Sequence, residues 1–260
     1  MTIAAEPSLP CDVSVVIPLR DEELNVEPLH AELTQAMAPL GLRYEVILVD
    51  DGSVDGTFTR LAAIQARDPH VCVIRFTRNF GQTAAFAAGF DQARGGLIVT
   101  SDGDLQNDPA DIPKLLGLAR QYDIVCGWRK DRQDAFLTRH VPSVAANYLL
   151  AWISGIPLHD NGCSLKVFRA GVIKPLKLRP GMHRYLPALA SQLGNRVTEV
   201  VVRHRPRRHG HSKYGLSRTF RVIGDLLHLR RLMREALDPA TRVDDLYEIA
   251  EVRQAESRTR

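Results

Sequence analysis

Val99-Thr-Ser-Asp-Gly-Asp-Leu-Gln-Asn-Asp-Pro109 is the stretch on which the fold turns. The apolar run 96–99 at its head reads as a buried strand, and two carboxylates, Asp102 and Asp104, follow where that strand ends. In an open α/β sheet a ligand sits outside the carboxyl ends of the strands. Both side chains can then turn toward one hard divalent cation, Mg²⁺ or Mn²⁺, which takes oxygen ligands and bridges to phosphates. Gln106 offers a third oxygen from the same loop. The competing reading is a solvated acidic turn ahead of a helix started by Pro109.

Working outward, runs 13–18, 45–49, 71–76, 97–100 and 124–128 are short, β-branched and nearly continuous in apolar residues. Such runs fit strands covered on both faces in a largely parallel sheet. Stretches 23–38, 55–67, 82–93 and 110–120 between them carry helical periodicity, and the alternation predicts a doubly wound α/β domain. Run 197–202 reads as a further strand, and 216–237 as a basic amphipathic helix. Beyond Pro239 a short acidic helix or an irregular tail is expected.

The chain has 260 residues, of which 45% are hydrophobic, enough for one substantial core. Its net charge of +4 is unevenly placed. Residues 203–234 carry ten Lys/Arg against one acid, and 235–260 carry seven acids against four bases, so the first of these segments suits an anionic partner. The four cysteines are widely spaced and read as reduced thiols, without a disulfide frame or zinc site. No secretory signal is recognised at the N-terminus. Segment 141–158 is 18 residues without charge, but Pro142, Asn147, Gly155 and Pro157 interrupt it, and it reads as an amphipathic or buried helix.

The loops after the strands carry the chemistry. After the first comes Pro18-Leu-Arg-Asp-Glu22, with carboxylates and no Gly-x-Gly-x-x-Gly turn, which speaks against NAD or FAD. Glu22 can accept from a ribose or base, or complement a helix dipole. After the second comes Val49-Asp-Asp-Gly-Ser-Val-Asp55: Gly52 permits the turn, Ser53 or Asp55 can cap the next helix, and a carboxylate of Asp50 or Asp51 is left for the crevice. The small residues Ala84, Ala85, Ala87, Ala88 and Gly89 require close helix packing.

These loops, together with Asp102–Pro109, His159-Asp-Asn-Gly-Cys-Ser-Leu-Lys166 and Arg207-Arg-His-Gly-His-Ser-Lys-Tyr214, resemble the family 2 polyprenyl-phosphate glycosyltransferases of the dolichyl-phosphate mannose synthase and bacterial undecaprenyl-phosphate glucosyltransferase type. The resemblance covers about residues 12–230. It implies a GT-A fold, Rossmann-like, with a mostly parallel sheet and flanking helices. It also implies an inverting transfer of a hexose from a nucleoside-diphosphate sugar, UDP ahead of GDP, to a polyprenyl phosphate. Position by position, Pro18, Arg20, Glu22, Val49 and Asp51 are expected at the nucleotide, and Asp102, Gly103, Asp104 and Gln106 at the metal and diphosphate. Arg129, Arg139 and Ser143 are expected at the acceptor phosphate, and Arg207 and Lys213 beside the donor diphosphate. Asp104, Arg129 and Arg139 are the expected catalytic residues. Arg20 stands where relatives often carry an aromatic residue, and Gly103 where they commonly carry Ala.

Bacterial relatives commonly continue into transmembrane helices, whereas here Leu229 is followed by Arg230, Arg231 and an acidic stretch. The expected organisation is an N-terminal tail 1–11, a GT-A domain 12–214, a basic juxtamembrane helix 215–238 and an acidic tail 239–260, without transmembrane helices. A cytoplasmic enzyme, peripheral on anionic lipid at the inner face of the cell membrane and working with a separate membrane-embedded partner, follows as the expectation. Nucleic acid is disfavoured because segment 203–234 has few aromatics to stack on bases. Two other readings stay open: transfer to a saccharide hydroxyl with Asp160 as base, and a nucleotide-sugar-binding module without turnover.

Overall fold

The computed structural model describes residues 11–130, 155–207, 229–238 and 246–254. Its first half is a run of βα units. The strands are β1 (Cys11–Leu19), β2 (Tyr44–Asp50), β3 (Val71–Phe76) and β4 (Gly95–Thr100); α1 (Val26–Met37), α2 (Thr57–Arg67) and α3 (Gln82–Gln92) join them. The chain continues through α4 (Ile112–Leu118), β5 (Ile124–Trp128), β6 (Lys166–Arg169), α5 (Ala170–Ile173), α6 (Leu186–Ser191), β7 (Val197–Val201), α7 (Leu229–Leu237) and β8 (Ile249–Arg253).

All eight strands form one sheet in the order β7-β5-β6-β4-β1-β2-β3-β8. β1 pairs in parallel with β2 and β4, β2 with β3, and β5 with β7, while β6 and β8 run antiparallel to their neighbours. Alternation along the central strands divides the core between the two faces. Val16, Ile47 and Ile98 meet Ala84, Ala88 and Phe90 of α3 on one side. Val15, Ile17 and Leu48 meet Leu29 and Leu33 of α1, Leu61 and Ile64 of α2, and Leu115 of α4 on the other. Strands covered on both faces explain the near-continuous apolar runs.

The small residues of α3 have the expected consequence. Ala84 and Ala85 are fully buried, and a Cβ added at Gly89 would stand 2.2 Å from Val16 Cγ1. A bare backbone at this point lets α3 lie directly on β1, and it fixes where the helix N-terminus meets the end of the sheet.

The stretch beyond Pro239 is not wholly helical or irregular, because β8 pairs antiparallel with β3 and the sheet draws a strand from the expected tail 239–260. An edge strand such as β3 offers unpaired backbone groups, and side chains reinforce the pairing. Tyr247 stacks on Phe76 at 5.3 Å between ring centroids and donates to Asp91 at 2.6 Å. The guanidiniums of Arg75 and Arg253 both lie against the Phe58 ring.

No helix among the described residues is long and apolar enough to cross a membrane. Of segment 141–158 only 155–158 is described, and it is not helical. The end of the expected 216–237 helix is present as α7, docked through the buried Ala236 and an Arg179–Glu235 ion pair at 3.1 Å. The four cysteines are free and buried.

Candidate functional site

Four parallel-strand ends deliver the loops to one edge of the sheet. After β2, Gly52 holds φ at +65°, and a Cβ there would stand 2.3 Å from the Arg78 carbonyl carbon, so the turn requires glycine. The N-cap of α2 is Gly56, and Asp55 just before it satisfies the first helical amide, its Oδ1 accepting from Thr57 N at 3.0 Å and from Thr57 Oγ1 at 2.5 Å. Ser53 Oγ instead accepts from Asp21 N at 2.9 Å, tying the first loop to the second.

Asp50 and Asp51 have different tasks. Asp50 is fully buried, and its Oδ1 accepts from Ser53 N at 3.0 Å. Asp51 accepts from Phe80 N at 2.7 Å, from Gly81 N at 3.0 Å and from Asn79 Nδ2 at 2.7 Å. Burial pushes the Asp51 carboxyl up and the Phe80 and Gly81 amides pull it back, leaving it above its ordinary value. Its oxygens are therefore engaged in shaping the turn 79–81 that starts α3.

From that turn Gln82 reaches across to the acidic loop, its Nε2 donating to Asp102 Oδ1 at 2.7 Å. Asp104, 8% exposed, accepts from Arg207 Nη2 at 2.6 Å through Oδ2 and from Gln106 N at 3.2 Å through Oδ1. Burial first and the charge of Asp102 second raise the Asp104 carboxyl to about 6, against the pull of Arg207, and Glu22 adds to the rise. Adjacent carboxylates that resist joint ionisation are relieved by a cation. With the amide oxygen of Gln106 they make an all-oxygen donor set, so these residues fit Mg²⁺ or Mn²⁺. Among the described residues no group of three or more His, Cys, Asp or Glu is placed to hold a metal ion.

The loop is held under strain. Leu105, between Asp104 and Gln106, is buried with φ at +62°, and Asp21 in the first loop has φ at +47°. Each such non-glycine residue costs about 1–3 kcal/mol and persists only where its surroundings fix it. Here the fixing comes from an extended segment after β7. Arg205 N donates to Gln106 O at 2.8 Å, and Asn107 bridges His204. Arg203 pairs with Asp108 and Asp111, Arg205 with Asp108 and Glu32, and Arg207 with Asp104. Three alternate arginines thus grip the acidic loop. Of the three, only Arg207 is expected from the motifs, although the Arg-x-Arg-x-Arg spacing of a strand-like segment is visible in the sequence.

Arg129 follows β5 and is paired with Asp160 at 2.7 Å, both groups largely buried. Burial would lower the Arg129 pKa, but the Asp160 hydrogen bonds and charge outweigh it and raise it, and Asp102 adds to the rise. Because Arg129 engages both oxygens of Asp160, that carboxylate is poorly placed to serve as a base.

The remaining expected residues are dispersed. Glu22 Oε2 accepts from Asn25 Nδ2 at 2.5 Å and lies close enough to act on Asp104. Arg20 stands on the rim, 45% exposed, and pairs with Asp21. Val49 is fully buried in the core, so its side chain does not line a pocket. Gly103 lies against the end of β1: its Cβ would be 3.0 Å from Leu19 Cγ and 3.3 Å from the Pro18 carbonyl oxygen. Arg139, Ser143 and Lys213 lie outside the described residues.

Comparison with known proteins agrees with this architecture. Dodecaprenyl-phosphate galacturonate synthase of Rhizobium johnstonii is 46% identical over 239 residues, covering 90% of this chain and 71% of that protein. Undecaprenyl-phosphate 4-deoxy-4-formamido-L-arabinose transferase of Pseudomonas aeruginosa is 38% identical over 217 residues, covering 83% and 64%. The chain therefore spans roughly two thirds of the length of these relatives. Glucosyl-3-phosphoglycerate synthase from Mycobacterium tuberculosis, crystallised with Mn²⁺ and UDP-glucose, shares the fold with a TM-score of 0.65 at 20% identity, over 85% of this chain and 79% of that one. Residues 14–176 match the family model described as Glycosyl transferase family 2, and the chain belongs to that family of glycosyltransferases.

Proposed function

We propose that this chain transfers a hexose, with inversion, from a nucleoside-diphosphate sugar to a polyprenyl phosphate. UDP is favoured over GDP as the carrier, and the work is done peripherally at the cytoplasmic face of the membrane. The carrying observation is the meeting of Asp102, Asp104 and Arg207 at one strand end, with Arg129 close by. The names of the two relatives, both acting on polyprenyl phosphates, support the acceptor class.

The chemistry fits these residues. A lipid phosphate carries about −1.5 to −2 charges near neutral pH by analogy with other phosphate monoesters, so it attacks without a general base. The difficulty is bringing that anion up to an anionic donor. Asp102, Asp104 and Gln106 would hold the cation, which when bound neutralises the leaving diphosphate. Arg207, already on Asp104, stands where it can exchange that carboxylate for a diphosphate oxygen, and Lys213 is proposed to join it. Arg129, with Arg139 and Ser143, is proposed to hold the acceptor phosphate; a guanidinium fork binds phosphate oxygens bidentately. Pro18, Arg20, Glu22 and Asp51 border the proposed nucleoside pocket, the last through the turn it shapes. The basic stretch 215–238 supplies attraction to anionic lipid of roughly 1 kcal/mol per Lys or Arg near the surface. A membrane-embedded partner is proposed to complete the attachment.

The test is a panel of UDP- and GDP-hexoses with a short polyprenyl phosphate and Mg²⁺ or Mn²⁺, with products read by mass spectrometry. An acid-labile sugar–phosphate–lipid diester is expected. Transfer to a saccharide hydroxyl, or donor hydrolysis alone, would overturn the reading.

A further inference from the structure

The Asp160 carboxylate accepts from Arg129 on three atoms: Oδ2 from the backbone N–H at 3.2 Å and from Nε at 2.7 Å, and Oδ1 from Nη2 at 2.9 Å. This geometry consumes the Nε edge of the guanidinium. The opposite edge, formed by Nη1 and the far side of Nη2, keeps a parallel pair of N–H donors, the arrangement that matches two phosphate oxygens.

The loop that carries Asp160 is tied down by several hydrogen bonds. Buried Lys166 donates from Nζ to the carbonyl oxygen of Asn161 at 3.1 Å and to that of Cys163. Thr100 Oγ1, at the end of β4, donates to Ser164 O at 2.7 Å, and Asn107 Nδ2, in the acidic loop, donates to Ser164 Oγ at 2.7 Å. Asp160 is thereby referenced to the strand end that carries Asp102 and Asp104. The space around the pair is close: a Cβ at Gly162 would stand 3.2 Å from Arg129 Nη2 and 3.5 Å from Asp160 Oδ1.

We propose that Asp160 is the positioning residue for the acceptor phosphate, clamping one edge of Arg129 so that the other edge is held ready to take the phosphate. The inference rests on the acceptor reading above and assigns Asp160 a role other than that of a base. A clamp is needed because an arginine has rotatable bonds along its whole stem, and ordering such a side chain at the moment of binding weakens the grip on a ligand, whereas a guanidinium already held in place is spared that loss. The 4% exposure of the Asp160 side chain keeps water from competing for the clamped edge.

Calorimetry with farnesyl phosphate, and separately with UDP plus Mn²⁺, on wild type, Asp160→Asn and Gly162→Ala tests this, together with steady-state kinetics on the same proteins. Asp160→Asn is expected to weaken farnesyl phosphate binding and raise the acceptor KM by about threefold to tenfold. UDP affinity should hold, and kcat should move far less than KM. Gly162→Ala keeps both charges but presses on Nη2, and the same selective loss is expected; it decides the matter if Asp160→Asn does not fold. Unchanged acceptor affinity in the folded variants overturns the proposal, as does a collapse of kcat at constant acceptor KM, which is the signature of a lost base. Failure of wild type to bind farnesyl phosphate while binding UDP removes the acceptor reading, and this inference with it.

Discussion

Replacing Gly89 by alanine sets two physical effects against each other, and the structure decides the sign. Helix propensity favours alanine over glycine by about 1 kcal/mol in a helix interior. Against this, the new methyl would meet Val16 Cγ1 at 2.2 Å, more than 1 Å inside ordinary contact. Val16 is fully buried in the middle of β1, between β2 and β4, and its branched side chain has one comfortable rotamer, so it cannot yield cheaply. Overpacking of this kind costs typically 1–3 kcal/mol. The size of the overlap puts Gly89→Ala toward the upper end, leaving a net loss of about 2 kcal/mol. For a chain of this length that lowers Tm by roughly 4–8 °C. Urea unfolding of Gly89→Ala, Val16→Ala and the double variant gives the coupling directly. The double variant should be more stable than the sum of the single losses requires, by about 1–3 kcal/mol. A Gly89→Ala protein as stable as wild type, or strictly additive losses, would refute the close approach of α3 to β1.

Other outcomes follow from the same geometry. Asp51→Ala strips the acceptor from Phe80 N, Gly81 N and Asn79 Nδ2, and should cost about 2–4 kcal/mol in urea unfolding while weakening UDP binding through the displaced start of α3. Tyr247→Phe keeps the ring against Phe76 but loses the bond to Asp91, and about 1 kcal/mol of stability should go with it in the same assay. Mn²⁺ affinity should depend on pH with a definite sign. The cation takes the ionised Asp104 carboxylate, whose pKa is raised to about 6 by burial and by Asp102, so affinity is full above that value and falls by about tenfold per unit below it. Titration calorimetry between pH 5 and 8 in inert buffers reads this slope, and a flat profile would contradict it.

Much of this was legible in the chain. The β-branched runs fixed five strands because a strand covered on both faces must be apolar almost throughout, as 45–49 and 71–76 are. The small residues of α3 announced close packing, and Asp102 and Asp104 announced a strand-end acidic site. Less legible was anything that depends on long-range partners. β8 has no strong strand signal of its own and exists because β3 needs an edge partner. β6 likewise is not expected from the sequence: it starts at the last residue of the 159–166 motif and runs beyond it, between β4 and β5 in the sheet. Asp51 accepts from a turn nearly thirty residues away, a partner that spacing along the sequence does not reveal. The same holds for Asp160, whose pairing with Arg129 joins two loops across the β5–β6 connection.

Mn²⁺ binding in the presence of UDP, followed by electron paramagnetic resonance on wild type and Asp104→Asn, probes the acidic loop most directly. Wild type should take up about one ion per chain with an affinity that UDP strengthens, and the variant, folded by circular dichroism, should lose that site. An unaltered Mn²⁺ titration in Asp104→Asn would mean that the two carboxylates do not hold the cation, and the account of the reaction built on them would fail.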